Sequence, residues 1–444
     1  MNIQKHTTGR TVNYDFVASE FDWEIAPGRI VKVWGFNNQF PGPEINANIG
    51  DTVVVKVTNK LKEPTSVHWH GICLPAAMDG TDANQELIMP GDTFEYRFEV
   101  NVAGTFWYHS HANETVQMER GMYGPIVVNE TTELKVDNDR VFMIDDMKID
   151  AENNFTVPGW ALPRLIEKHD GREGDTLLIN GMVDPAIHVH AGQQERWRFI
   201  NSSSARYFML HLEGRAFKVI GVDGGLLENA RTVSSVLITP GERVDIIAGP
   251  FTEHDTFAIQ SLPYDRMTFL KAKRQRFATV KVGEVKPSVA MIPETLNVIL
   301  PLAEPDAPAT RQIRFSVGPS LKNGLDFMVN GDLHVNDAPV KVGELQIWEI
   351  INSSLMDHPF HLHGFFFQVI AENGEQPEYL AWKDTINLKP RSRVKIAWMP
   401  DNRPGTWMYH CHILEHHAAG MMAHFEVTTD VAMSSNKVSV HHHH

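Results

Sequence analysis

The chain is predicted to be all-β, built as one sandwich-like unit three times over. Two observations carry this. Stretches such as "DTVVVKVTN", "TFEYRFEV", "ERWRFIN", "VDIIAG", "LQIWEIIN" and "SRVKIAWM" alternate apolar and polar residues. They are rich in β-branched and aromatic types, are punctuated by Pro and Gly, and leave few helical patterns between them. The stretches also recur in register. Gly50–Asn59, Gly192–Asn201 and Gly343–Asn352 share one glycine-to-asparagine spacing, and "PGDTFEYR" from Pro90, "PGERVDII" from Pro240 and "PRSRVKIA" from Pro390 stand 150 residues apart. A period that long means a repeated domain rather than a solenoid. "NETTELKVDND" and "VKPSVAMIPE" read as linkers, giving domains 1–135, 136–290 and 291–440. His441–His444 resembles a tag remnant and is set aside.

Composition bounds the function. The 444 residues are 42% hydrophobic and 21% charged, enough for several packed cores. A formal net charge of −15 argues against nucleic acid or an anionic membrane as partner. Two cysteines, Cys73 and Cys411, cannot form a disulfide framework. No apolar run approaches the roughly 20 residues of a membrane span, and "MNIQKHTTGRTVNYDF" lacks the apolar core of a signal peptide.

The repeat locates the chemistry. Eighteen residues after Gly50 stands His68 of "HWHG", and eighteen after Gly343 stands His361 of "HLHG", so His68 matches His361 and His70 matches His363. "GTFWYHSH" likewise aligns with "GTWMYHCH", pairing His109 with His410 and His111 with His412. In the middle repeat the same counts land on Leu210, Leu212, Gln260 and Leu262. Residues i and i+2 of a strand share a face, so each His-x-His pair presents two imidazoles together. Four pairs at two equivalent surfaces point to a metal cluster between domains 1 and 3, against the plainer reading of core or surface histidines. Imidazole alone does not choose among copper, zinc, iron and nickel. His188 and His190 of "AIHVHAG" show the local pattern without a partner pair and read as non-ligands.

Cys411 lies between two such histidines and so points to the opposite face. Its candidate companions are His416, Met421 and His358; by count their domain 1 equivalents are Thr115, Arg120 and Thr65, with Ser110 in place of the cysteine. Two histidines, a thiolate and a weak axial methionine form the ligand set of a blue-copper centre. Zinc is the rival, although structural zinc sites usually carry more cysteines.

With "HWHG", "WYHSH", "HPFHLHG" and "HCHILEHHAAGMM" in order, the chain resembles the three-domain multicopper oxidases, bacterial laccases in particular. The resemblance implies three cupredoxin-like Greek-key domains and four copper ions. It implies a type 1 copper at His358, Cys411 and His416 with Met421 axial, and a type 2 copper at His68 and His361. One type 3 copper would use His70, His109 and His412, the other His111, His363 and His410. The implied activity is one-electron oxidation of phenols or aromatic amines coupled to reduction of dioxygen to water. Oxidation of Cu(I) or Fe(II) is the first alternative, and a non-enzymatic scaffold on the same fold the second. The implied partners are dioxygen and a small aromatic reductant or a reduced metal ion. The 18 methionines are scattered, which favours the laccase reading over the metal-ion one. By analogy the compartment is extracytoplasmic after loss of a leader, with the cytoplasm as the alternative.

Asp79 and Cys411 are the candidate catalytic residues, Cys411 as electron conduit and Asp79 of "AAMDG" as proton relay; a turn aspartate is the alternative for Asp79. His417 stands where relatives carry a second acidic relay, and either takes that role or is simply solvated. Asp384 of "WKDTIN" is read as an acceptor for a type 1 ligand or a strand-end turn residue, and Cys73 as a small packed apolar group.

Overall fold

Each repeat folds as two sheets face to face. The computed structural model describes residues 9–156, 161–269 and 271–429, the side chains of 161–163 excepted, so the tag reading lies outside it. In the first repeat one sheet runs in the order Arg29–Phe36, Thr11–Ala26, Thr52–Asn59, Thr93–Glu99. The facing sheet runs Ile45–Asn48, Tyr123–Asn129, Gly104–Ser110, Val67–His70. The second repeat has a six- and a five-stranded sheet, and the third has two of six. Alternation in the sequence becomes alternation in burial. Along Thr93–Glu99, for example, Tyr96 and Phe98 are buried while the even-spaced neighbours Glu95, Arg97 and Glu99 face water.

The asparagine of the repeat has a physical role. Asn59, Asn201 and Asn352 are wholly buried, and each side-chain amide ties a carbonyl of the following loop to one from a second segment. The acceptors are Glu63 and Ile88 (2.9 and 2.8 Å), Arg206 and Ile238 (both 2.9 Å), and Met356 and Leu388 (2.8 and 2.9 Å). A buried amide without these bonds would cost about 1–3 kcal/mol, so the position specifies the loop geometry that precedes the histidine strands.

Domains 1 and 3 share one continuous apolar core, with Phe106 of the first against Phe366 of the third, whereas the middle domain keeps its own core around Trp197, Phe199 and Phe251. The histidine strands of domains 1 and 3 are thereby clamped against each other. Three short α-helices follow among the described residues: α1 (Glu114–Gln117), α2 (Ala161–Asp170) and α3 (Leu414–Ala418). Gly420, at φ +108°, ends α3 and turns the chain back, so that the amide of Met421 bonds the His416 carbonyl at 3.0 Å.

Candidate metal centres

Strand pairing sets the histidines side by side. Val67–His70 runs antiparallel to Gly104–Ser110 with His68 opposite His109, and His358–Leu362 runs antiparallel to Gly405–Cys411 with His361 opposite His410. The two half-sites then interlock across the domain 1/domain 3 contact. His68 stacks on His363 (3.9 Å between ring centres) and His70 on His361 (3.8 Å). All eight predicted cluster histidines meet here, seven of them buried and His111 nearly so.

Each ring but one has a nitrogen tied to the protein. His68 Nδ1 bonds the Asp79 carbonyl (2.9 Å) and His361 Nδ1 the Asp384 carbonyl (3.0 Å). His363 Nδ1 meets the Asp79 carboxylate at 2.9 Å and His70 Nε2 the Asp384 carboxylate at 3.1 Å. His109 and His410 bond the neighbouring carbonyls of Ser110 and Cys411, both at 2.9 Å, and His111 Nδ1 meets Glu114 at 3.1 Å. The remaining nitrogens, His68 Nε2, His70 Nδ1, His109 Nε2, His111 Nε2 and His361 Nε2, are buried without a hydrogen-bond partner, as are both nitrogens of His412. His363 Nε2 and His410 Nε2 face one another at 3.0 Å. Buried polar atoms are normally paired. A set of unpaired imidazole nitrogens converging on one space fits metal binding, and the donor atoms of His70, His109 and His412 lie within 4.8 Å of one another.

Electrostatics agree. Burial, aided by neighbouring rings, holds His70, His109, His361, His363 and His410 well below the ordinary histidine range, and burial pulls His111 and His412 down to about 4. Neutral imidazole is the metal-binding form.

On the other face of the Gly405–Cys411 strand stands a second cluster. Cys411 Sγ lies 3.5 Å from both His358 Nδ1 and His416 Nδ1, and the two nitrogens are 3.2 Å apart. The far nitrogens are occupied, His358 Nε2 by Ser354 Oγ and His416 Nε2 by the His169 carbonyl, each at 2.9 Å. Met421 is buried beside them, its carbonyl accepting from the Cys411 amide at 3.1 Å. Burial lowers His358 to about 3 and pushes the Cys411 thiol up, so a metal bound here must displace the thiol proton. An N2S triangle with a single thiolate suits copper better than a structural zinc.

Several expectations are corrected. Asp384 serves no type 1 ligand; it holds His70 and His361 on the cluster side. His417 is not solvated. It is buried, stacks on His410 at 4.2 Å, and bonds Glu114 Oε2 at 2.7 Å. Burial opposes its protonation, but the Glu114 charge and hydrogen bond outweigh it and raise the pKa. The domain 1 counterparts of His416 and Met421 are Gln117 and Met122, not Thr115 and Arg120. The amide of Met122 bonds the Gln117 carbonyl, and its carbonyl accepts from Ser110, as Met421 does with His416 and Cys411. In the middle domain the count is one residue short. His211, opposite Gln260, occupies the place of His68 and His361 and makes the same Nδ1-to-carbonyl bond, here to Ser234 at 2.8 Å. His188 is exposed and His190 half-buried on an outer strand, and Cys73 packs half-buried on the shared core.

Glu114, Gln117 and His169 were not found from sequence. Only Glu114 offers a signal, standing three residues after His111 at the start of α1.

Family profiles described as multicopper oxidase match residues 18–133, 149–279 and 304–431, most of the chain. The chain belongs to the multicopper oxidase family. A multicopper oxidase of Mycobacterium tuberculosis, MmcO, is 31% identical over 93% of this chain and 86% of its own length. Among solved structures, the Campylobacter jejuni multicopper oxidase described as a metallo-oxidase superposes with a TM-score of 0.83 at 30% identity, covering 95% of this chain and 92% of that one. A laccase from Pediococcus acidilactici gives a TM-score of 0.81 at 28% identity, over 94% and 90% of the two chains. As a multicopper oxidase the protein is an oxidoreductase with three cupredoxin-like domains and copper cofactors, using dioxygen and a reductant.

Proposed function

We propose that the protein is a laccase-like oxidase that removes electrons singly from phenols and aromatic amines and uses four of them, with four protons, to convert one dioxygen to two waters. Four coppers are assigned. His358, Cys411, His416 and Met421 would hold type 1, and His68 and His361 type 2. His70, His109 and His412 would hold one type 3 ion, and His111, His363 and His410 the other. Copper in these sites supplies reversible one-electron chemistry. The observation that carries the copper assignment is the junction at His410–Cys411–His412, at and just past the end of the Gly405–Cys411 strand: three consecutive residues contribute to two clusters and are joined by peptide bonds.

The chain's own residues divide the work. Cys411 links the outer cluster to the inner one. Asp79 clips His68 by its carbonyl and His363 by its carboxylate, and the same carboxylate is the proposed proton donor near the type 2 ligands. Glu114 bridges His111 and His417, keeping a hydrogen-bonded carboxylate and imidazole within reach of the inner cluster. The complete ligand set argues against a scaffold role.

The metal-ion reading, oxidation of Cu(I) or Fe(II), is supported by the likeness to the Campylobacter metallo-oxidase. The test is to load the protein with copper, record the blue thiolate-to-copper absorption, and compare oxygen uptake driven by a phenol with that driven by Cu(I). Faster uptake with the phenol supports the laccase reading; uptake with Cu(I) alone overturns it.

A further inference from the structure

The middle domain carries neither His-x-His pair, yet its landmark turn "PGER" reaches the inner cluster. A Cβ placed on Gly241 (φ +87°) would come within 2.8 Å of the His412 ring. The equivalent Gly91 of domain 1 has nothing within 4 Å. Two residues after Gly241, the Arg243 side chain is fully buried.

All five guanidinium N–H groups of Arg243 are accounted for, and they reach three domains. Nε donates to the Thr105 carbonyl of domain 1 at 3.0 Å. Nη1 donates to the Gly241 carbonyl (3.1 Å) and to Asp384 Oδ1 (2.7 Å). Nη2 donates to the Asp223 carbonyl (3.0 Å) and to Asp384 Oδ2 (2.5 Å). The grip on Asp384 of domain 3 is therefore bidentate, the geometry a guanidinium can make and an ammonium cannot. Asp384 Oδ1 in turn lies 3.1 Å from His70 Nε2 of domain 1 and 2.9 Å from the Thr385 hydroxyl. Gly71 makes room for the contact, since a Cβ there would sit 2.5 Å from Arg243 Nη2.

With Oδ1 and Oδ2 each accepting from the guanidinium, the Asp384 side chain offers His70 an acceptor. His70 must then carry its proton on Nε2, which turns the lone pair of Nδ1 toward His109 and His412. We infer that Arg243 is a positioning residue for the type 3 site. From a domain that holds no ligand, it fixes the plane of Asp384, and through Asp384 it fixes the tautomer and orientation of His70. The inference rests on the copper assignment proposed above. It differs from a plain interdomain staple in predicting a selective defect.

The copper-loaded protein provides the test. Metal per chain, the blue type 1 absorption, the type 2 paramagnetic signal and the near-ultraviolet type 3 band are compared in R243M, R243K, D384N and R198M. Arg198 is the control: equally removed from solvent, it crosses the same interface to the Thr105 hydroxyl at 3.0 Å but touches no histidine. Wild-type protein without a blue band refutes the copper assignment itself. Given that band, R243M and D384N are expected to keep it while losing the type 3 band and binding less copper. R243K is expected to recover only part of the band, and R198M to match the wild type. If D384N and R243K both retain the full type 3 band, the inference is wrong, even where R243M fails to fold. Equal loss in R198M would reduce Arg243 to a staple.

Discussion

The carbonyl oxygen of His169 accepts the Nε2 hydrogen of His416 at 2.9 Å, closing the outer edge of the proposed type 1 ligand with a residue of helix α2. His416 itself has no exposed surface, and its opposite face lies flat on Phe327 at 4.1 Å. The His169 ring is about a fifth exposed and packs on Phe269, which is 66% exposed. The middle domain thus stands between solvent and the cluster of His358, Cys411 and His416.

An aromatic reductant meeting this surface contacts the Phe269 and His169 rings before any ligand. An aromatic pair contributes about 0.5–1.5 kcal/mol, so Phe269→Ala is expected to raise KM for a phenol roughly two- to tenfold. The blue absorption and kcat should stay close to wild type. Steady-state kinetics on two phenols of different size check this, and an unchanged KM for both excludes Phe269 from the approach.

Much of the fold and site is legible in the sequence because the repeat supplies an internal standard. His68, His361, His109 and His410 share backbone register and can be read by counting. Counting fails where loops differ in length. Domain 1 has two extra residues between His111 and Gln117, and the middle domain has one extra between Asn201 and His211, which hid the relic His211 and the real counterparts of His416 and Met421. Those counterparts are instructive. Thr65, Ser110 and Gln117 bond one another at 2.6–2.7 Å through the Gln117 amide oxygen, a hydrogen-bonded set in the place of the proposed ligands His358, Cys411 and His416. Arg243 was illegible, and the partners of Asp384 were misread, for another reason: the two act across three domains, and no local pattern records such a contact.

Asp79 spans two ligands, with Oδ2 at 2.9 Å from His363 Nδ1 and Oδ1 at 3.3 Å from His68 Nδ1. Asp79→Asn keeps an oxygen but can neither release nor take up a proton. Removal of such an outer partner typically costs 10–100-fold, and we expect reoxidation of the reduced enzyme by dioxygen to slow by about that factor. Reduction of the blue centre by substrate should be unaffected. Stopped-flow measurement of the two half-reactions separates them, and equal rates of reoxidation in both proteins would remove Asp79 from the oxygen-reducing step.

Met421 is positioned by backbone bonds to both Cys411 and His416, so its replacement by leucine leaves the loop path intact. A weak axial thioether lowers the copper potential relative to a non-coordinating side chain. Redox titration of Met421→Leu is therefore expected to show a higher type 1 potential than wild type, and the wild type to fall below the highest-potential laccases. A potential that stays or drops in the variant contradicts the axial role.

The metal-free protein should be acid-sensitive in a defined window. Burial keeps His358 near 3 and His111 and His412 near 4 in the folded state, while an unfolded histidine titrates near about 6.5. Below the unfolded value the unfolded chain binds protons that the folded chain refuses, so stability falls as pH falls, by about 1.4 kcal/mol per pH unit for each such histidine, until the folded pKa is reached. His417 works the other way, because Glu114 raises its pKa despite burial; its contribution is lost as pH rises. One raised histidine does not offset three or more lowered ones. The expected result is a steep drop in the unfolding midpoint of the metal-free protein between about pH 6.5 and about pH 4. The copper-loaded protein should show a shallower decline, since its nitrogens cannot be protonated without releasing metal. Calorimetry of both forms across that range decides it, and a flat profile for the metal-free protein would mean that these histidines are not held neutral by the fold.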